Sequence, residues 1–401
     1  MNYIPLSKIK YSNSENYEKI YKERFESPSS EHLDFNISGN KAFFIINNEL
    51  LLLVSQLYEL NEKLNSITKK LPNVALNQFT KKCLIDEIHL TNDIEGVYST
   101  RKEIDEILSM AVPKSEKNNR LFGLVKKYEL INSENIPLIT CEDIRNLYNE
   151  LVLKEVILQD KDYEPDGELF RKESAVVLNK YQKVIHEGVH PESALKEMMQ
   201  QSLDFLNNEN YAVFIRISIF HYLFGYMHPF YDGNGRTSRF ISSYLMSKFL
   251  NPLVCYSLSY TIKNNISKYY KSFEITNDKN NRGDITPFII EFLEIINILY
   301  KNLISTMEEK LDKLIYYGRV SLNISKEYKD DKYKNFIFVL FQNSIFGEYG
   351  LTVPDLESAI EASQATVRKY IKRASNYLYI EKDSHAYRYS MNLNINYSKY
   401  D

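Results

Sequence analysis

Apolar positions along the chain recur mostly at helical spacing. From Glu49 to Leu64 they repeat every three to four residues and Pro72 follows shortly after, which predicts a helix. A second helix is predicted from Phe79 to about Ile94, stopped by Gly96. Ser99 and Thr100 with Glu103 read as the capped start of a helix ending near Met110. Thr140, with Asp143 three residues on, opens another over Cys141 to Leu153. PKSEKNNR (113–120) reads as a charged linker, and residues 1–40 are polar with little periodicity. The one strong β signal before the C-terminus is the Asp166-Gly167 turn with the β-branched run ending at Leu178, which predicts a small hairpin. Helices resume at 192–207 and 211–227. The latter, YAVFIRISIFHYLFGYM, is apolar nearly all round and so belongs at the centre of a core. A further helix is predicted to begin near Arg236, with others at 261–275 and 286–315, and a polar break at 321–333 sets off the end of the chain. The fold class expected is therefore mainly α with a β-hairpin, in segments 1–112, 113–320 and 321–401.

Composition narrows the function classes. The chain has 401 residues and 44% hydrophobic content, ample for more than one core. A net charge of −3 supplies no global field toward nucleic acid or acidic membranes. Cys83, Cys141 and Cys255 fit no zinc or disulfide spacing and read as buried thiols in a reducing compartment. The N-terminal residues lack the apolar run of a signal peptide, and no stretch reaches about 18 uninterrupted apolar residues. A cytoplasmic protein with no membrane partner is expected.

Chemistry concentrates in HPFYDGNGRTSR, His228 to Arg239, between the central helix and the next one. A helix N-terminus presents unpaired N–H groups and partial positive charge, a ready anion site. Gly233 and Gly235 let backbone come close to a ligand, and their amides can form a nest for phosphate oxygens. Arg236 and Arg239, three apart, share one helix face, and two guanidinium forks above such a nest suit a polyphosphate. Asp232 can hold Mg²⁺ together with phosphate oxygens and waters. His228, at the end of the central helix, suits a general base. These parts imply transfer of a nucleotide phosphate onto a nucleophile. The Walker pattern GxxxxGK[ST] is absent.

The same stretch resembles the core motif of the Fic family, HxFx[DE]GNGRxxR, at every specified position. FHYLFGYMHPF resembles the family's core helix, and the hairpin near Gly167–Leu178 its flap, where a target segment docks. The resemblance spans roughly residues 80–300. It implies a protein adenylyltransferase that moves AMP from ATP to a Ser, Thr or Tyr hydroxyl and releases pyrophosphate. His228 would deprotonate the hydroxyl and Asp232 would hold Mg²⁺. Asn234, Gly233 and Gly235 would bind the α-phosphate, Arg236 the β-phosphate and Arg239 the γ-phosphate. Phe230 would anchor the loop in the core. Tyr269 and Tyr270 resemble the aromatic pair near the adenine. Relatives often carry a tryptophan after the motif; this chain has none, and Ile285 to Phe288 are expected to fill that space.

TNDIEG, Thr91 to Gly96, resembles the family's inhibitory motif, [ST]xxxE[GN]. It implies that Glu95 pairs with Arg239 and occupies the γ-phosphate position, a self-inhibited resting state. Some relatives with this motif also remove AMP, so a de-AMPylating or bifunctional enzyme stays open. After the break, residues 333–391 read as three helices and a β-hairpin turning at Lys382-Asp383-Ser384, which resembles a winged helix. Arg368, Lys369, Lys372 and Arg373 lie on or near one side of its third helix. DNA binding, with the Fic core as a nucleotide sensor, is the reading from another class, against the plainer one of solvated charge. Partners expected are a target hydroxyl docked on the hairpin, the chain itself as substrate, and a second copy in a homodimer. His221 reads as a core residue behind the site, while His186, His190 and His385 fit no metal cluster.

Overall fold

A computed structural model describes residues 3–112, 116–178, 184–326, 328–382 and 386–400. The expected turn at residues 383 and 384, His385, the start of the expected linker and the tip of the hairpin lie outside the described residues. The fold is mainly helical with three two-stranded antiparallel sheets among the described residues.

Residues 1–40 correct the first expectation. Helices α1 (Leu6–Ser12) and α2 (Tyr17–Phe25) are followed by strands β1 (Ser30–Ile37) and β2 (Asn40–Ile45), so the hairpin near Leu178 is not the first. Leu33, Phe35 and Ile37 alternate inward along β1, and the intervening positions are polar and exposed. Only three inward residues carry that alternation, too few to stand out. Ser38 and Gly39, both at positive φ, make the turn.

The helices then follow in order. They are α3 (Asn48–Thr68), α4 (Asn73–Ile94), α5 (Arg101–Leu108), α6 (Glu116–Glu129), α7 (Cys141–Tyr148) and α8 (Lys154–Gln159). Both predicted caps form: the Thr100 side chain accepts from Glu103 N, and Thr140 and Asp143 make a reciprocal capping box. The expected linker is instead the start of α6, whose Leu121, Leu124 and Val125 are buried. The expected helix ending at Leu153 continues through a π-helical stretch, Asn149–Leu153, into α8. Strands β3 (Val176–Leu178) and β4 (Val184–Glu187) form the predicted hairpin. Next come α9 (Glu192–Leu206), α10 (Val213–Met227), α11 (Asn234–Phe249), α12 (Leu258–Asn264), α13 (Ile266–Asn277) and α14 (Thr286–Lys326). The predicted 261–275 helix is thus two, broken at Asn265, and α14 runs on into the expected break at 321–333, as far as Lys326. The chain closes with α15 (Asp331–Phe346), α16 (Val353–Ile360), α17 (Gln364–Ala374), β5 (Leu378–Lys382) and β6 (Tyr387–Met391).

Two compact units result, grouped differently from the segments 1–112, 113–320 and 321–401. One comprises the chain to Asn61 with Ile85–Tyr300, the other Glu62–Leu84 with the chain from Lys301 onward. The first is built around α10, buried on nearly every side as its all-round apolar sequence demands. In the second, Phe336, Ile337 and Leu340 of α15 pack with Leu356, Val367, Tyr370 and Met391. Among the described residues, no helix is long and apolar enough to cross a membrane.

Candidate active site

The loop after α10 is fixed by its own side chains. His228 caps α10 in the left-handed region (φ 51°), and Pro229 behind it bars further helix. Asn234 folds back: its Nδ2 donates to Phe230 O (2.7 Å) and its Oδ1 accepts from Phe230 N (2.9 Å). The Asn234 amide, expected to meet a phosphate, is thus engaged in closing the loop. Phe230 is fully buried and stacks on Tyr148 at 3.6 Å between centroids, which explains why the loop has one position in depth. Gly233 is left-handed (φ 78°), and a Cβ there would meet Val152 Cγ2 at 2.9 Å. The loop therefore lies tightly on the π-helical stretch. As a consequence α11 begins at Asn234 rather than near Arg236, with Thr237 Oγ1 donating back to Gly233 O.

Arg236 and Arg239 are both almost fully buried. Arg236 Nη1 donates to Glu155 of α8, a buried carboxylate, and its Nη2 lies 3.4 Å from Asp232 Oδ2. Arg236 Nε has no hydrogen-bond partner among the described residues, an orphaned buried donor on a guanidinium. Asp232 accepts from Gly233 N through Oδ1 (2.6 Å), and its side chain stays partly exposed.

Arg239 meets both members of the second motif. Its Nη1 lies 2.8 Å from Glu95 Oε1, its Nε donates to Thr91 Oγ1 (2.9 Å), and its Nη2 donates to Thr91 O (2.9 Å). Gly96, at φ 72°, lets the chain leave α4 just beyond Glu95. A Cβ built on Gly235 would fall 2.1 Å from Glu95 Oε1. A carboxylate therefore already sits against the first turn of α11, on the anion cradle that the sequence implies. With the orphaned Arg236 Nε, this shows that the cradle suits an anion such as a phosphate group.

The electrostatics keep the ring of His228 neutral. Desolvation first, then the Arg171 guanidinium and His186, hold the His228 imidazole down to about 4, with the Glu95 carboxylate opposing. The ring is thus neutral at pH 7 and able to accept a proton. Behind the arginines, His221 is buried. Its Nδ1 lies 2.8 Å from Ser242 Oγ and its Nε2 2.7 Å from Tyr269 Oη, and burial followed by Arg239 pulls it down to about 3. Tyr269 is buried beside Arg239, whereas Tyr270 is exposed. Phe288 stands within 6.3 Å of the His221 ring, in the region expected to substitute for a tryptophan.

Three residues escaped the sequence reading. Glu155 and Arg171 lie outside the twelve-residue stretch and carry no local signal. Glu87 is fully buried on α4, and burial pushes its carboxyl up to about 7 although Ser259 N and Oγ both donate to it. Glu87, Thr91 and Glu95 recur every four residues, a polar stripe that marks a helix face turned toward something charged. In the other unit, Arg368, Lys369 and Lys372 are exposed on α17. Arg373 is not part of that surface: it lies 3.4 Å from Asp330 and over the rings of Tyr328 and Tyr333. Cys141 and Cys255 are buried but Cys83 only half so, and none of the three is in a disulfide. His186 is used by Tyr226 O at 2.6 Å.

The Fic/DOC family matches residues 138–246, which carry α7 to most of α11. Protein adenylyltransferase Fic of Drosophila willistoni is 30% identical over 234 residues, 54% of this chain and 41% of that protein. The protein of the same description from Aedes aegypti is 26% identical over 227 residues, with the same coverage of 54% and 41%. The chain thus spans about two-fifths of the length of the curated relatives it matches. Its fold is similar to the crystal structure of a Fic family protein from Desulfovibrio desulfuricans. That likeness has a TM-score of 0.55 at 18% identity and covers 88% of this chain and 98% of the other. Residues 138–246 are therefore a Fic/DOC family domain in a mainly helical Fic fold, and the chain is distantly homologous to protein adenylyltransferases.

Proposed function

We propose that the chain is a protein adenylyltransferase held at rest by Glu95. The observation that carries this reading is the Glu95 carboxylate seated against Gly235 on Arg239, an anion of the chain's own in the cradle suited to a phosphate. In the working state Glu95 leaves and ATP takes its place. Arg239 and the free Nε of Arg236 bind its terminal phosphates, and the amides at the start of α11 face the α-phosphate. His228 takes the proton of a target hydroxyl through its neutral ring. The oxygen bonds to the α-phosphorus and the bond to pyrophosphate breaks, so AMP passes to the protein. Asp232 would hold Mg²⁺, which supplies charge neutralisation to the phosphates. The hairpin β3–β4 is the surface where the target would dock, by adding an extended segment to its edge.

The test compares the unsubstituted chain, Glu95→Gly and Glu95→Gly with His228→Ala, given α-³²P-labelled ATP and Mg²⁺. Protein-bound label that rises at least about tenfold in Glu95→Gly and vanishes with His228→Ala is the expected result. Equal label in all three would overturn both roles. A second reading, removal of AMP at the same site, is favoured by one observation: the Glu95 carboxylate faces His228 closely enough to oppose the fall in its pKa. There Glu95 would orient a water toward the phosphate, and AMP released from a modified protein would require Glu95 instead of being restrained by it.

A further inference from the structure

We infer that Arg171 is the positioning residue of His228, a buried fork that fixes the histidine's backbone and ties it to the base of the hairpin. This rests on the adenylyl-transfer reading for its consequence in turnover but not for its geometry.

Arg171 is 1% exposed. Its Nε donates to His228 O (2.8 Å), its Nη2 to Met227 O (3.2 Å) and Val189 O (3.0 Å), and its Nη1 to Glu173 O (2.6 Å). Its own N–H donates to Pro229 O (3.2 Å). These guanidinium bonds all go to carbonyls, and the carbonyls of three consecutive residues, Met227, His228 and Pro229, meet this one residue. They are the last acceptors of α10 and the first of the loop, which a helix end leaves unpaired. A positive charge is also favourable at a helix C-terminus. The left-handed His228 thus has its carbonyl bound and the peptide before it bound, so Arg171 holds the backbone from which the ring projects. Gly188 makes the approach possible, because a Cβ there would meet Arg171 Nη2 at 2.3 Å and His228 Cβ at 3.1 Å.

The other end of the fork holds Glu173 and Val189, which flank β3 and β4. A target segment paired with the hairpin would therefore load the same residue that aims the base. A lysine cannot reproduce this, since it lacks the planar fork that spans carbonyls on two sides. The charge acts as well. His228 is faced by Arg171, by His186 on β4 and by the opposing Glu95 at the end of α4; Arg171 in turn is faced by Tyr231 and Glu187.

The experiment places R171M and R171K in the Glu95→Gly background. It records thermal melts, kcat and KM for ATP with labelled nucleotide, and the titration of His228 by NMR of ¹³C-histidine protein. The His228 signal is identified by its loss in His228→Ala. In R171M the titration is expected to rise by about one pH unit, a roughly tenfold change in the ionisation constant, with kcat down about a hundredfold and KM within about twofold. In R171K the titration stays near its unsubstituted position while kcat still falls about tenfold, because charge is kept and the fork is lost. An unchanged His228 titration in folded R171M, or kcat unchanged in both variants, overturns the inference. If R171M does not fold, R171Q takes its place with the same expectations. If no variant and no parent transfers label, adenylyl transfer is wrong while the titration arm still decides the role of Arg171.

Discussion

One turn apart on the same helix, Arg236 and Arg239 are equally buried yet live in different surroundings. Arg236 is met by Glu155, a buried carboxylate on α8, and by Asp232 of its own loop. Arg239 is met by Thr91 and by Glu95, a residue just past the end of α4 whose side chain is 25% exposed. The first partner is enclosed by the core and the second stands at a helix terminus that water reaches. Parting the first pair would leave both charges in low dielectric, whereas Glu95, a quarter exposed, can pass into water while Arg239 keeps its two bonds to Thr91. The difference is one of enclosure: the Arg236 partner lies inside the core, and the Glu95 partner of Arg239 lies at its margin.

The largest expected effect comes from breaking the enclosed pair. Glu155→Ala strands the Arg236 guanidinium and should cost about 3–5 kcal/mol of stability, read as a fall in the denaturant midpoint. A loss below about 1 kcal/mol would put Arg236 on the same footing as Arg239.

Acid should act next, through the two depressed histidines. His221, held down to about 3, and His228, held down to about 4, are neutral when folded and titrate near 6.5 when unfolded. Below pH 6.5 the unfolded chain binds the extra protons, so the stability they contribute is intact above that value and drains as pH falls toward 4. Each should account for about 2 kcal/mol between pH 6.5 and 5. His221→Gln should flatten the curve in that window; an equal slope with and without His221 would show that its burial is not what matters.

Smaller still is Thr91→Val. It removes the bond to Arg239 Nε but leaves the Thr91 carbonyl on Nη2, an expected cost of about 1 kcal/mol by thermal melt. Glu95→Gly should cost less stability than Glu155→Ala, because Arg239 keeps both Thr91 bonds, even while protein labelling rises at least about tenfold. A stability loss as large as that of Glu155→Ala would make Glu95 a structural residue and end the contrast between the two arginines.

Several elements were legible because their causes are local. Thr140 with Asp143 and Thr100 with Glu103 cap the helices they were expected to cap, and the all-apolar stretch ending at Met227 is the central helix. Others were not. The β1–β2 hairpin was hidden by polar outward positions, and α6 by charges at its start. Asn234 shows the limit within the motif itself: its type suits a phosphate, yet the fold spends its amide on the Phe230 backbone.

What the sequence by itself determined is the short-range chemistry. A loop with two glycines runs into a helix, two arginines share a face, and a histidine ends the apolar segment before it. These follow from backbone freedom and helical period, which act over a few residues. Tertiary structure decided which groups meet across the chain. Thr91 lies 148 positions from Arg239, Glu155 lies 81 from Arg236, and Arg171 lies 57 from His228. It also decided that His228 is neutral, because burial and a neighbouring guanidinium shift a proton only once the chain has enclosed them.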